Sequence, residues 1–141
     1  MKLKLTKRSF ARRATAAVET AVVAPLVVTA MLGMMEVGYT FMIRQTVTLA
    51  SREGARAAAL PGGTIGDVTD AVDAAMSGPN LEGYAVTSNL EGLSSSDTEV
   101  WVTVSVPFDR TSWTGMLLGG GSFDIDATTT MRREGVEEEE P

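Results

Sequence analysis

The chain has 141 residues, enough for one small domain with an anchor or tail, and it contains no cysteine and no histidine. Those absences exclude disulfides, thiol nucleophiles, imidazole general bases and the common zinc sites. Its formal net charge of −6 argues against nucleic acid as a partner, because phosphate binding needs clustered Lys and Arg.

The charge is distributed unevenly. Six basic residues (Lys2, Lys4, Lys7, Arg8, Arg12, Arg13) precede Glu19 with no acid among them, whereas from Ala57 onward three arginines face fifteen acids. Between the two regions lies "RRATAAVETAVVAPLVVTAMLGMMEVG", from Arg12 to Gly38. Sixteen residues, Thr20 to Met35, carry no charge, and the apolar character extends from Ala16 to Ile43. A span needs roughly 20 mostly apolar residues, and at about 1.5 Å rise per residue Glu19 and Glu36 stand ~25 Å apart, near the hydrocarbon thickness. Each glutamate then marks an edge of the span. A carboxylate there is costly, so Glu19 calls for a partner. Pro25, inside the run, is tolerated by membrane helices. A cleavable secretory signal is the rival reading, but its apolar core is shorter and ends at a small-residue site. By the positive-inside rule the basic head stays in the cytoplasm and the C-terminal body is exported, giving a single-pass protein of the inner (cytoplasmic) membrane.

The sequence predicts that the helix continues beyond the membrane, from Ala16 to Leu60. Gln45–Leu60 is rich in helix formers, and Ala50, Gly54 and Ala58 form a stripe of small residues that permits close packing. "PGG" at Pro61–Gly63 ends it. A second helix, Ile65–Met76, is signalled by Thr64 as cap and Asp67 three residues on, with Ile65, Val68, Val72 and Met76 on one face. Asp67, Asp70 and Asp73 take the other face and read as solvated, since no calcium-loop spacing accompanies them.

Three strands follow: Tyr84–Leu90, Thr98–Phe108 and Ser122–Arg132. In the second, Val100, Val102, Val104 and Val106 alternate with Trp101, Thr103 and Ser105, and Phe123, Ile125 and Ala127 continue the period in the third. Ser94–Asp97 reads as a hairpin loop and Thr111–Gly121 as a short helical turn or loop. The fold class is α+β: a long N-terminal transmembrane helix extended beyond the membrane, a short second helix and a small three-stranded antiparallel sheet. The divisions are a basic cytoplasmic leader (1–14), the transmembrane helix (15–43), its extension (44–60), an exported α+β domain (61–134) and a disordered acidic tail (135–141).

Catalysis finds little support. Ser94 to Ser96 lie in a loop with no His or Lys nearby in sequence, and Asp124 and Asp126 alternate along one strand's polar face. No catalytic residue, cofactor, metal or small-molecule substrate is expected.

Basic residues, a small residue, four more positions and then a glutamate opening an apolar helix resemble the processing signal of type IV pilin-like proteins. The continuation, "AVETAVVAPLVVTAMLGMMEVGYTFMIRQTVTLASREGARAAA", resembles the TadE family of pseudopilins from the tight-adherence (Flp pilus) assembly system. The residues that carry it are Glu19, Pro25, Gly33/Glu36/Gly38 and Arg52-Glu53-Gly54-Ala55-Arg56. The resemblance implies cleavage by a prepilin peptidase between Ala14 and Thr15, and pairing of Glu19 with the Thr15 amine of a neighbouring subunit. It implies other pilin-like subunits and the Tad assembly machinery as partners, with the chain acting as a minor pseudopilin or assembly factor. The alternative is an uncleaved, membrane-anchored extracytoplasmic binding module.

Overall fold

A computed structural model describes residues 3–78, 81–94, 97–108 and 124–135, with side chains from Arg12 onward. The elements run α1 (Leu3–Ala59), α2 (Ile65–Met76), β1 (Ala85–Ser88), a short 3-10 turn (Leu90–Gly92), β2 (Glu99–Pro107) and β3 (Asp124–Arg132). The architecture is the α+β arrangement expected, with three antiparallel strands in the order β1-β2-β3. The chain divides into two compact units, Met1–Val37 and Gly38–Pro141.

The first unit is the N-terminal part of α1. The helix begins at Leu3 rather than at Ala16, because Lys, Arg, Leu and Ala are all good helix formers and nothing before Ala16 breaks the helix. It continues unbroken through Pro25.

In the second unit, the C-terminal part of α1 and all of α2 cover one face of the sheet. That face consists of Val100, Val102, Val104 and Val106, all fully buried, while the residues between them face outward. Complete burial of a valine contributes on the order of 1.5–3 kcal/mol. Opposite them stand Met131, Thr129, Ala127 and Ile125 of β3 in register. Ile43, Val47, Ala50, Ala55, Ala58 and Ala59 of α1 and Val68, Val72 and Met76 of α2 complete the core. Ser51, also fully buried, places its Oγ 2.8 Å from Oγ1 of Thr129, so neither hydroxyl is buried without a partner.

The two helices and the sheet approach closely at Gly54. A Cβ there would lie 2.9 Å from Cγ2 of Val72 and 3.2 Å from Cγ1 of Val102, so α1, α2 and β2 converge on a position with no side chain. The end of α1 is defined just as tightly. Gly62 takes a positive φ of 80°, Gly63 N–H donates to the Leu60 carbonyl at 3.0 Å, and Glu134 N–H donates to the Ala59 carbonyl at 2.8 Å. The end comes at Ala59, one residue before the expected Leu60, because Pro61 follows immediately.

The bounds of α2 are those read from the sequence, and its capping box is complete: Asp67 N–H donates to Thr64 Oγ1 and Thr64 N–H donates to Asp67 Oδ2. The Thr64 hydroxyl, followed by its backbone N–H, holds the Asp67 carboxyl below the usual aspartate range. Ile65, expected on the buried face, is 37% exposed, since the first helical residue lies beyond the stripe formed by Val68, Val72 and Met76.

β1 is shorter than the expected Tyr84–Leu90. Asn89 leaves the strand and uses its side chain instead, accepting from Trp101 N–H at 2.9 Å and donating to the Glu99 carbonyl at 3.3 Å. Leu90 then enters the 3-10 turn. In the loop before β2, Asp97 Oδ2 accepts from Ser94 N–H, and the Arg133 guanidinium donates to the Ser94 and Asp97 carbonyls at 3.1 Å each. Ser95, Ser96, Phe123 and the Thr111–Gly121 segment lie outside the described residues, as do residues 136–141 of the acidic tail.

Two predictions follow from this packing. Gly54→Leu should cost about 1–3 kcal/mol by overpacking against two stiff, β-branched valines. Gly66→Ala, whose added Cβ meets only the Thr64 hydroxyl at 3.5 Å, should be neutral or stabilise by up to roughly 1 kcal/mol through helix propensity. Denaturant unfolding of the full chain in detergent separates the two: the midpoint should fall for Gly54→Leu and stay or rise for Gly66→Ala, and equal shifts would refute the close approach.

The second prediction concerns Tyr84. Its hydroxyl donates to Asp73 Oδ1 at 2.5 Å, and that hydrogen bond, then burial, then the Asp73 charge push the phenol up to about 12 from the ordinary 10.0. The folded state therefore holds this proton more tightly than the unfolded state does. The resulting stabilisation is complete below pH 10 and is lost as pH rises toward about 12. Ultraviolet titration should show a phenolate step near pH 12 that Tyr84→Phe removes, and persistence of that step in the variant would assign it elsewhere.

Candidate assembly surface

Between Val18 and Val37 the large apolar residues point in all directions around α1, and those with large exposed side chains range from 42% (Leu32) to 74% (Met34) exposed. A helix apolar on every side cannot rest in water; it requires lipid or other helices around it. Among the described residues, Arg12–Ala59 is the one helix long and apolar enough to cross a membrane. Its hydroxyls are satisfied within the helix itself, as a lipid environment demands: Thr20 Oγ1 donates to the Ala16 carbonyl at 2.9 Å and Thr29 Oγ1 to the Pro25 carbonyl at 2.8 Å. The long apolar helix is the feature of a membrane anchor.

Glu19 is exposed on this helix and has no cation within 4 Å among the described residues. It lines a shallow, open groove of about 440 Å³ with Thr20, Val23, Ala24, Val27 and Val28. One carboxylate thus sits at the edge of an otherwise apolar strip. Ala14 and Thr15 are exposed within the same helix, and Thr15 lies four residues before Glu19, which puts the two on one helix face.

The two glutamates of the apolar run differ: Glu19 is exposed, whereas Glu36 is 6% exposed. Nothing in the local sequence distinguishes them, as both are flanked by apolar residues. Ala50, Gly54 and Ala58 are buried in the second unit, facing its own sheet and α2. The structure therefore separates the residues singled out in the sequence into two sets: Ala14, Thr15 and Glu19 exposed in the first unit, and the small-residue stripe enclosed in the second.

Asp67, Asp70 and Asp73 all face solvent, with Asp67 engaged by the cap and Asp73 by Tyr84. Among the described residues no group of three His, Cys, Asp or Glu side chains is arranged to hold a metal ion.

Neither a curated protein nor a solved structure matches the chain. Residues 14–56, which contain Ala14, Thr15, Glu19 and the Arg52–Arg56 sequence, match the family model described as TadE-like protein, the same family that the N-terminal motifs resemble.

Proposed function

We propose that this chain is a TadE-like minor pseudopilin or assembly factor of a tight-adherence (Flp, type IVb-like) pilus or a related secretion system. It acts by helix packing and subunit contacts, with no catalytic step of its own. The observation that carries this reading is an exposed carboxylate, Glu19, four residues beyond Ala14–Thr15 on a helix apolar on all sides, inside the segment matched to the family.

In this reading a prepilin peptidase hydrolyses the Ala14–Thr15 amide on the cytoplasmic face. Water supplies the hydroxyl of the new Ala14 carboxylate and a proton for the Thr15 nitrogen. The step removes all six basic leader residues and leaves a single α-ammonium, which is charged near neutral pH because such groups titrate at about 7.7–8.0. Glu19 of a neighbouring subunit then neutralises it. In a low-dielectric bundle each charge would be heavily penalised alone, so pairing selects the arrangement in which both are satisfied. A shift of about four residues between neighbouring helices, or ~6 Å, brings the groups level. The leader side is the cytoplasm, and the helix extension (44–60) and the α+β domain (61–134) lie beyond the inner membrane, in accord with the six basic residues before the span.

Glu19→Gln should leave membrane insertion intact or improve it, since a costly charge is removed, while reducing association between processed subunits. Crosslinking of two differently tagged copies in membranes measures this. Wild-type crosslinking by the Gln variant would reduce Glu19 to an edge marker. N-terminal sequencing should give Thr15 as the first residue; an intact Ala14–Thr15 bond would favour the anchored binding module instead.

Topology has its own test. A reporter fused after Arg132 should be digested by protease added to spheroplasts, and replacing the six basic residues by Gln should mix the orientations. Protection of the wild-type fusion would overturn the orientation.

A further inference from the structure

The described part of the second unit holds eleven acids and five arginines, Arg44, Arg52, Arg56, Arg132 and Arg133, with no lysine. Arg133 is committed to the Ser94 and Asp97 carbonyls. Arg132 ends β3, and the other three arginines lie on α1, so most of the positive charge among the described residues of an acidic body is gathered on one helix. Arg56 pairs with Glu53 at 3.8 Å across solvent, while Arg44 and Arg52 have no acid within 4 Å among the described residues.

The direction of this face follows from helix geometry. At about 100° per residue, Arg52 and Arg56 each point roughly 160° away from Gly54, the position that abuts Val72 of α2 and Val102 of β2. They face outward from the core, beside Leu49, which is 51% exposed. On α2, Asp70 stands two residues before the buried Val72, also roughly 160° round the helix, and has no partner among the described residues. Within one chain these two faces therefore point away from each other and cannot neutralise one another. Along α1 Arg52 and Arg56 are ~6 Å apart, so one carboxylate, Asp70, can lie between both guanidinium groups.

We propose that the Arg52/Arg56 face of α1 in one copy docks on the Asp70 face of α2 in a second copy of this chain. Two different, oppositely charged surfaces on one molecule make a head-to-tail contact, which repeats from copy to copy and does not close at a dimer by local symmetry. Leu49, about 20° round the helix from Arg56, adds an exposed apolar side chain at the edge of the Arg52/Arg56 face. The proposal rests on the reading of the chain as an assembly subunit, and it adds a contact independent of Glu19 and Thr15.

The natural absence of cysteine makes the test direct. Full-length chains carrying Arg52→Cys and Asp70→Cys, each with a different tag, are co-expressed and oxidised in membranes. A mixed disulfide between the two tags is expected, and it should exceed by about tenfold the yield from Arg52→Cys with Thr128→Cys, which lies exposed on the outer side of the sheet. Equal yields overturn the proposal. Separately, Arg52→Glu with Arg56→Glu should weaken co-purification of tagged copies, and a partner copy carrying Asp70→Arg should restore it. If charge reversal has no effect while Glu19→Gln abolishes association, this contact is wrong and the assembly reading stands. If wild-type copies do not associate at all, both are wrong.

Discussion

The second unit depends on the convergence of three elements at Gly54. Methyl groups of Val72 and Val102 already stand within 2.9–3.2 Å of where a Cβ would be, so α1 reaches the sheet and α2 together only because the position is bare. The rest of the core follows from that approach. Ala50, Ala55, Ala58 and Ala59 keep α1 thin along its buried side, while the branched residues that fill the space come from β2 and α2. Volume lost on one surface is recovered on the other, as close packing requires. The two helices and the sheet thereby bury a core that no two of them could enclose, in a unit with neither disulfide nor metal cluster among its described residues.

α1 follows two different rules along its length. From Val18 to Val37 its large side chains are exposed on all sides, and from Ile43 to Ala59 its buried residues fall on one side and shrink to Ala, Gly and Ser. The first pattern suits a solvent that is apolar in every direction; the second suits a neighbour that is present in only one. The change of residue size along a single unbroken helix is the sequence record of a change of environment. It also explains how Arg52 and Arg56 can share that helix with a core: they point away from the side that packs on the sheet and α2.

This change of pattern was legible before the structure, as were the valine alternation of β2 and the capping box of α2. Each is a local pattern that the physics of one element enforces. The errors arose where a distant segment or a side chain took over. Asn89 looked like strand and instead substitutes its amide for the strand's own hydrogen bonds. Ile65 matched the helical period, yet the buried stripe starts at Val68. The helix expected from Ala16 starts at Leu3, because helix propensity carries α1 back through the basic residues. At the assembly surface the sequence singled out Glu19 through the cost of a charge in an apolar run, but that argument applies equally to Glu36. Their different burial depends on tertiary placement, which no local pattern encodes.

On the proposed reading, two kinds of ionic contact would divide the work of assembly. A Glu19–Thr15 pair inside a helix bundle sits where the dielectric is low and salt cannot reach it. Its strength would come chiefly from the penalty on leaving either charge alone. Contacts between the Arg52 and Asp70 faces would lie in water, where charges more than about 8 Å apart are screened at physiological salt and an exposed pair contributes little energy. Such surface pairs nonetheless suppress wrong neighbours and set register, since like charges brought together are penalised. The buried pair would thus hold subunits together and the surface pairs would choose how they align. That division fits a chain whose second unit turns Arg52 and Arg56 outward, and whose first unit offers an exposed acid, Glu19, beside an apolar strip.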